Sequence, residues 1–515
     1  MAVGPQALSQ NAAQQYTFYD LLAILCCEMQ RLPQARQGDI YRVFSANANY
    51  AKYHKSIRER FPFLTVSCDQ SAVYYYSLTP KQAKQILGAL GSAKSDFDWA
   101  AILAIIEAID QLLELKENLG RFLQDKRCPI APLSPDEQAH ARVSQYYYRF
   151  EALNPATKGY GLLLPREPCQ WERTSSRSMD SVGFRPLSVM KNYLWVRPDI
   201  DYQIVNLHSD FHLSSDPRLK IVTSPLSSQT PFLLHCHPES SSFEIEYLDA
   251  CTPATNARLK KMIDISVQER ANITMAPELM ASADSIHDCA KHIQDSWQLD
   301  LPNLILLPTC EYAGEQGWVN ELTALDADGG CIFTYHKQHP FQLDKKRSGE
   351  SSDAEPADPE VFYEPIQADK VIYLLHVPGI GRIGFLICSD VFRPGHLDFL
   401  TQELKVTLLL HTVFSPGSDL LDRMLATAKR DLCDVVMCNT CAAWDEAEKN
   451  PDERAPVEIS DKPMVNIYYP YGHKYNSPQP LPVTCTQQGC TGCAFVIEVA
   501  STYGSRQIPV SHRYE

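Results

Sequence analysis

Between residues 202 and 500 the chain repeats one texture, in which short apolar runs of strand length are separated by polar or amphipathic stretches. The runs are YQIVNLH (202–208), NITMAPE (272–278), NLILLPT (303–309), GCIFTYHK (330–337), KVIYLLHV (370–377), GRIGFLIC (381–388), KVTLLLHT (405–412), DVVMCNT (434–440) and CAFVIEVA (493–500). Helical spacing occupies several of the intervals, notably 255–270 and 418–431. Strands of this length alternating with amphipathic helices predict a layered α/β domain over residues 200–515. Chemistry-bearing side chains of such a domain belong at strand ends.

The chain of 515 residues is too long for a single core, and its first part reads differently. Residues 16–32, YTFYDLLAILCCEMQRL, place Leu21, Leu22, Leu25 and Met29 on one helical face. Residues 39–44 and 49–64 predict two more helices, the second ending near Pro62, and TVSCDQSAVYYYSLT (65–79) predicts a hairpin around Asp69 and Gln70. Three helices followed by a hairpin resemble a winged helix-turn-helix, so residues 1–125 are expected to form a mainly helical, winged-helix-like accessory module, extended by helices at 80–90 and 97–123. Between Arg42 and Arg60 five Arg or Lys residues stand against one acid, which suits a phosphate-facing surface for DNA or a protein-docking face. Residues 126–199, rich in Pro, Ser and Tyr, read as an irregular connector or covering layer.

A net charge of -15 argues against a protein that coats nucleic acid throughout, while leaving room for a local basic surface. No N-terminal stretch joins basic residues, an apolar run and a small-residue cleavage site, so no signal peptide is expected. The most apolar helical run, WAAILAII (99–106), is followed by Glu107 and Asp110 and falls far short of the roughly 20 residues that span a bilayer. The expectation is a cytoplasmic chain with no membrane partner, whose seventeen cysteines are largely reduced thiols. With no Walker loop or Gly-x-Gly-x-x-Gly run, no nucleotide cofactor is expected.

Three strand ends carry a coherent chemical set: Glu278 in ITMAPELM, Lys337 in FTYHKQHPF and Cys388 in IGFLICSD. In this order the set resembles the nitrilase superfamily, over residues 200–505. That resemblance implies an α-β-β-α sandwich, hydrolysis of a nonpeptide carbon–nitrogen bond, and a catalytic triad of Glu278, Lys337 and Cys388 without metal or other cofactor. It implies a small-molecule amide or carbamoyl substrate rather than a nitrile, a Cys thioester intermediate, and a homodimer. Pro277 before Glu278, a helix near Asn256, the Tyr335, His339 and Phe341 flanking Lys337, Gly384 and Asp390 around Cys388, and Asn439 fit the same pattern. A free thiol is largely protonated at neutral pH, so Glu278 is expected to act as general base, with Lys337 and the Ser389 N–H stabilising the developing negative charge. Asp390 is expected to fix the turn.

Departures from the family pattern are also legible. Ser389 stands where an aromatic residue is common and is expected to add room and a hydroxyl to the pocket; VFRPGH (391–396) replaces an Arg-Phe-Pro-Glu-like run. A further site glutamate would be either Glu350 or Glu364, and the acidic stretch GESSDAEPADPE (349–360) reads as a solvated loop. The end at Glu515 leaves little room for the family's final strands. Cys438 with Cys441 and Cys490 with Cys493, spaced C-x-x-C, make a candidate structural zinc set. The stretch HSDFHLSS (208–215) resembles the opening of a metallophosphoesterase, but no Gly-Asn-His run follows, so Asp210 and His212 read as structural or rim residues. The alternative functional reading is a nitrilase-like sensor or scaffold coupled to a DNA- or protein-docking module in a regulatory or defence complex.

Overall fold

The structure, a computed structural model, describes residues 16–64, 78–113, 127–128, 147–150, 159–165, 189–197, 202–209, 218–227, 229–295, 302–314, 317–344, 361–368, 370–377, 381–393, 395–415, 420, 423–424, 426–427, 433–443, 463–468, 481–484, 494–500 and 510–514. The chain divides into two compact units: Met1–Cys128 with Phe150–Asp201, and Pro129–Arg149 with Tyr202–Glu515.

In the first unit, helices span Phe18–Gln30, Gln34–Ser45, Asn47–Arg60, Pro80–Ser92 and Asp96–Leu112. Their starts follow from local chemistry. Thr17 with Asp20, Thr79 with Gln82 and Ser95 with Asp98 each form a capping box, in which the hydroxyl accepts the N3 N–H and the N3 side chain accepts the cap N–H. Asp110, fully buried near the end of the last helix, accepts the backbone N–H groups of Lys191, Asn192 and Tyr193 at 2.6, 3.0 and 3.0 Å. That carboxylate anchors the strand Tyr193–Val196, which pairs with Leu162–Pro165, onto the helical layer. On helix Asn47–Arg60, Tyr50 and His54 each meet Glu107 at 3.1 Å, while Lys52, Lys55, Arg58 and Arg60 are exposed. Residues 65–77 of the expected hairpin lie outside the described residues, as does most of the 126–199 stretch.

Two sheets build the second unit. The first runs Gln203–Ser209, Val371–Val377, Gly381–Ile387, Leu408–Thr412, Asp434–Cys438, Pro463–Tyr468, Leu481–Thr484. Its centre is largely parallel: Val371–Val377 lies parallel to Gln203–Ser209, and Gly381–Ile387, Leu408–Thr412 and Asp434–Cys438 lie parallel in turn. The second runs Gly317–Leu325, Leu304–Leu306, Ile273–Met275, Arg218–Thr223, Ala494–Ala500, Val510–Tyr514, with Cys310–Gly314 and Cys331–His336 on Gly317–Leu325. Ala494–Ala500 pairs with Arg218–Thr223 and carries Val510–Tyr514 on its other side.

The sheets meet face to face. Phe333 of the second sheet stacks on Tyr373 and tilts against Phe385 of the first, both at 4.8 Å between ring centroids. Helices Thr252–Gln268 and Ala283–Asp295 cover the other face of the second sheet, burying Leu259, Met262, Ile263, Ile286 and Ile293 against Val222, Ile305 and Val496. A smaller sheet of Gln342–Asp344, Val361–Tyr363, Ser242–Tyr247 and Phe232–His237 encloses its own apolar core of Phe232, Phe243, Ile245, Leu279, Leu343 and Phe362. Among the described residues no helix is long and apolar enough to cross a membrane.

Phe333 is buried at the inter-sheet seam, so Phe333→Ala should destabilise this unit by about 3–5 kcal/mol, read as a lowered midpoint in denaturant unfolding. An unchanged midpoint would contradict the packing described.

Candidate active site

The three acid, base and thiol residues singled out from the sequence come together at the ends of strands from both sheets. Glu278 follows Ile273–Met275 by way of Ala276 and Pro277, Lys337 follows Cys331–His336, and Cys388 follows Gly381–Ile387. Each is at most 3% exposed. The Lys337 Nζ lies 2.8 Å from Glu278 Oε1 and 2.7 Å from Glu364 Oε2. The Cys388 thiol donates to the Phe414 carbonyl at 3.9 Å, and the charge of the nearby Glu278 carboxylate acts on it. Glu364 is thus the glutamate that joins the lysine; Glu350 lies outside the described residues.

Local backbone geometry presents these groups. Cys388 has φ of 40° and Leu279 φ of 58°, left-handed values that few side chains adopt without support. Leu279 N–H is held by the Thr309 hydroxyl at 3.1 Å. His411 Nε2 lies 3.0 Å from the Cys388 carbonyl; burial pushes the His411 ring down to about 4, so the neutral imidazole donates this bond. Asn439 brackets Ser415, accepting its N–H at 3.2 Å and donating to its carbonyl at 2.7 Å. The neighbouring Phe414 N–H then donates to Glu278 Oε2 at 3.1 Å.

Asp390 joins the thiol turn to the lysine turn. It accepts the N–H groups of Ile387 at 3.0 Å, Gln338 at 2.6 Å and His339 at 2.9 Å, and the Tyr335 hydroxyl at 3.0 Å. Burial is the largest influence on this carboxyl and pushes it up to about 7, against the donors that favour its charged form. Ser389 adds a second tie, its hydroxyl donating to the His339 carbonyl at 2.5 Å. That hydroxyl is therefore spent on the lysine turn, in place of the pocket-lining role expected from the sequence.

The electrostatics are those of a buried cluster. Burial opposes the Lys337 charge, but the Glu278 and Glu364 carboxylates outweigh it and hold the ammonium charged well above the ordinary lysine range. Glu278 is pushed up by burial first, with Lys337 pulling it down and Glu364 pushing it up. Burial and the Glu278 carboxylate hold the Cys388 thiol well above its ordinary value. At rest the sulfur keeps its proton, with the Glu278 carboxylate nearby as the group able to accept it.

Sequence reading missed residues that complete the site. Asn320, fully buried, donates from Nδ2 to Glu278 Oε1 and Glu364 Oε1, 3.0 Å each. Glu311 sits directly across the strand pair from Asn320. Both are polar residues inside strands, and that irregularity was the available signal. Of the candidate zinc cysteines, Cys438 turns its thiol toward the Ser224 and Met275 carbonyls, 3.9 Å each, where burial raises its pKa. Cys490 and Cys493 lie outside the described residues, as do Asp210 and His212. Among the described residues no group of three or more His, Cys, Asp or Glu side chains is arranged to hold a metal.

No protein-family model and no curated protein matches the chain. Solved structures do match about half of it. A mutant amidase of the nitrilase superfamily, from Nesterenkonia AN1, is 11% identical with a TM-score of 0.33, covering 55% of this chain and 90% of its own. The NitFhit protein of C. elegans is 16% identical with a TM-score of 0.33, covering 54% of this chain and 60% of its own. A glutamine-dependent NAD+ synthetase from Acinetobacter baumannii is 14% identical with a TM-score of 0.32, covering 55% of this chain and 45% of its own.

Asp390→Ala leaves several buried N–H groups without an acceptor, each worth about 1–3 kcal/mol. The variant should lose at least about 3 kcal/mol of stability by denaturant unfolding. A loss under about 1 kcal/mol would show that the two turns hold their places without it.

Proposed function

We propose that residues 202–515 form a carbon–nitrogen hydrolase of the nitrilase type, which opens an amide or carbamoyl group through a thioester at Cys388. The observation that carries the reading is the Glu278 carboxylate, which accepts from the Lys337 ammonium at 2.8 Å and lies close enough to the Cys388 thiol for each to act on the other's protonation. One group is thereby placed to take the proton from the nucleophile beside a fixed positive charge.

The chemistry follows from those contacts. Glu278 removes the thiol proton as the sulfur attacks the carbonyl carbon. Negative charge builds on the carbonyl oxygen, where Lys337, and the Ser389 N–H as second donor, stabilise it. Collapse breaks the C–N bond, and the nitrogen leaves with the proton held on Glu278. An amide or carbamoyl group suits this cycle because it supplies a leaving nitrogen for that proton. Water then gives a proton to Glu278 and attacks the thioester, releasing the acid and restoring the thiol. Glu364 shares the lysine charge and holds Lys337 in place throughout.

A second reading concerns the first unit alone. The exposed Lys52, Lys55, Arg58 and Arg60 on one helix support docking to an anionic partner, either duplex DNA or an acidic protein face. A salt-dependent shift of duplex DNA by the full chain, lost on reversing those charges, would favour DNA; no shift at low salt eliminates that version.

The hydrolase reading makes a pH prediction. Alkylation of Cys388 by a small neutral electrophile needs unprotonated Glu278, so its rate should fall as pH drops through a value above the ordinary glutamate pKa of about 4.3. Glu278→Gln should slow the reaction by about 100- to 10,000-fold and abolish that limb. Cys388→Ala should remove the label entirely, read by peptide mass spectrometry. Labelling that persists in Cys388→Ala, or a Glu278→Gln rate equal to the parent's, would sink the assignment.

A further inference from the structure

Glu311 is a carboxyl for which the described residues supply no donor. It lies on strand Cys310–Gly314, in register with Asn320 on the neighbouring strand, so both side chains leave the same face of the pair. Asn320 identifies that face as the one holding Glu278 and Glu364. Glu311 is 3% exposed, and neither of its carboxyl oxygens has a donor among the described residues. Its neighbour Glu321, by contrast, is held by the Tyr312 hydroxyl at 2.9 Å and by His336 at 3.1 Å. Asn320 repeats the shortage: both of its N–H bonds go to glutamates, and its Oδ1 is buried without a partner.

Charge sharpens the point. Among the described residues, Glu278, Glu364 and Glu311 face a single ammonium, that of Lys337, with Tyr247, Glu321, the neutral His339 ring, Asp390 and the Cys310 and Cys388 thiols as titratable neighbours. A buried cluster of this kind needs one more positive charge or one more proton. Within the chain itself the proton is the answer. Burial, then the Glu364 carboxylate, pushes Glu311 up to about 9, so at neutral pH it keeps its proton.

We propose that Glu311, with the Asn320 Oδ1 beside it, is the substrate-reading group of this site, and that the preferred substrate is an amide or carbamoyl compound carrying a cationic nitrogen, an ammonium or guanidinium. The inference rests on the hydrolase reading above. An ammonium brings the donors that these acceptors lack. On binding, the Glu311 proton leaves to solvent and the ligand's charge replaces it, so the net charge of the cluster is conserved. A neutral amide leaves the proton in place and gains no ion pair.

The test is calorimetric titration of the full-length Cys388→Ala chain at pH 7 with 4-aminobutanamide and 5-aminopentanamide, each against the neutral amide of matched length. At least one ammonium amide should bind about tenfold or more tightly than its neutral counterpart. Its binding heat should vary with buffer in the way that release of about one proton requires. Both effects should disappear when Glu311→Gln is added. Equal affinities, absence of proton release, or a preference that survives Glu311→Gln would overturn the proposal, and the proton count alone decides it if Glu311→Gln fails to fold. Acrylamide labelling of Cys388 in the parent chain separates the two readings. Labelling without a cation preference removes only the role of Glu311, whereas no labelling together with no binding of either amide removes the hydrolase reading and this inference with it.

Discussion

A single ammonium organises the second unit's interior. Lys337 sits 2.7–2.8 Å from two glutamates that arrive from different sheets, Glu278 from the large second sheet and Glu364 from the end of Val361–Tyr363 in the small one. Two carboxylates and an ammonium buried this deeply carry a large desolvation cost, which is offset only by close geometry and by filling the remaining hydrogen-bond positions. The protein meets both requirements with backbone and amide donors. Asn320 bridges the two carboxylates, Phe414 N–H takes the other Glu278 oxygen, and Phe341 N–H donates to Glu364 at 2.8 Å. The network therefore determines where the strand ends must lie, as well as being held by them.

The thiol is brought to that network by strain and its compensation. Cys388 leaves a wholly buried strand in a left-handed conformation, and the surrounding bonds hold it there: His411 on its carbonyl, Asp390 on Ile387 N–H, and Ser389 on the lysine turn. Asp390 spans the two sheets, so the distance between nucleophile and lysine is set by one side chain rather than by the flexibility of two loops. Phe341 and Phe414, whose N–H groups orient the two glutamates, also place their rings against the small sheet's apolar core. Electrostatic and apolar packing are thus carried by the same residues.

Much of this was legible beforehand, and the failures have physical causes. Runs such as GRIGFLIC and KVIYLLHV became the strands Gly381–Ile387 and Val371–Val377 because a continuous apolar stretch buried on both faces has few other solutions. The set Glu278, Lys337 and Cys388 could be selected by order along the chain. Strands Phe232–His237 and Ser242–Tyr247 were not seen, since their exposed face carries His235, His237, Glu244 and Glu246 and dilutes the apolar signal. Cys310–Gly314 and Gly317–Leu325 were hidden for a more instructive reason. Glu311 and Asn320 interrupt them, and Asn320 bridges the two site glutamates. Which glutamate meets Lys337 depended on where a strand after a long acidic stretch would return, and spacing along the chain could not settle that.

The central claim is that the sulfur of Cys388 becomes acylated while a carbon–nitrogen bond is broken. Rapid-quench peptide mass spectrometry of the full chain, mixed with a panel of primary and ω-amino amides, tests it directly. The account predicts an acyl adduct confined to the Cys388 peptide, appearing before free acid accumulates and accompanied by an equivalent of released amine or ammonia. Release of acid and amine with no adduct at Cys388 at any quench time, and undiminished in Cys388→Ala, would contradict it.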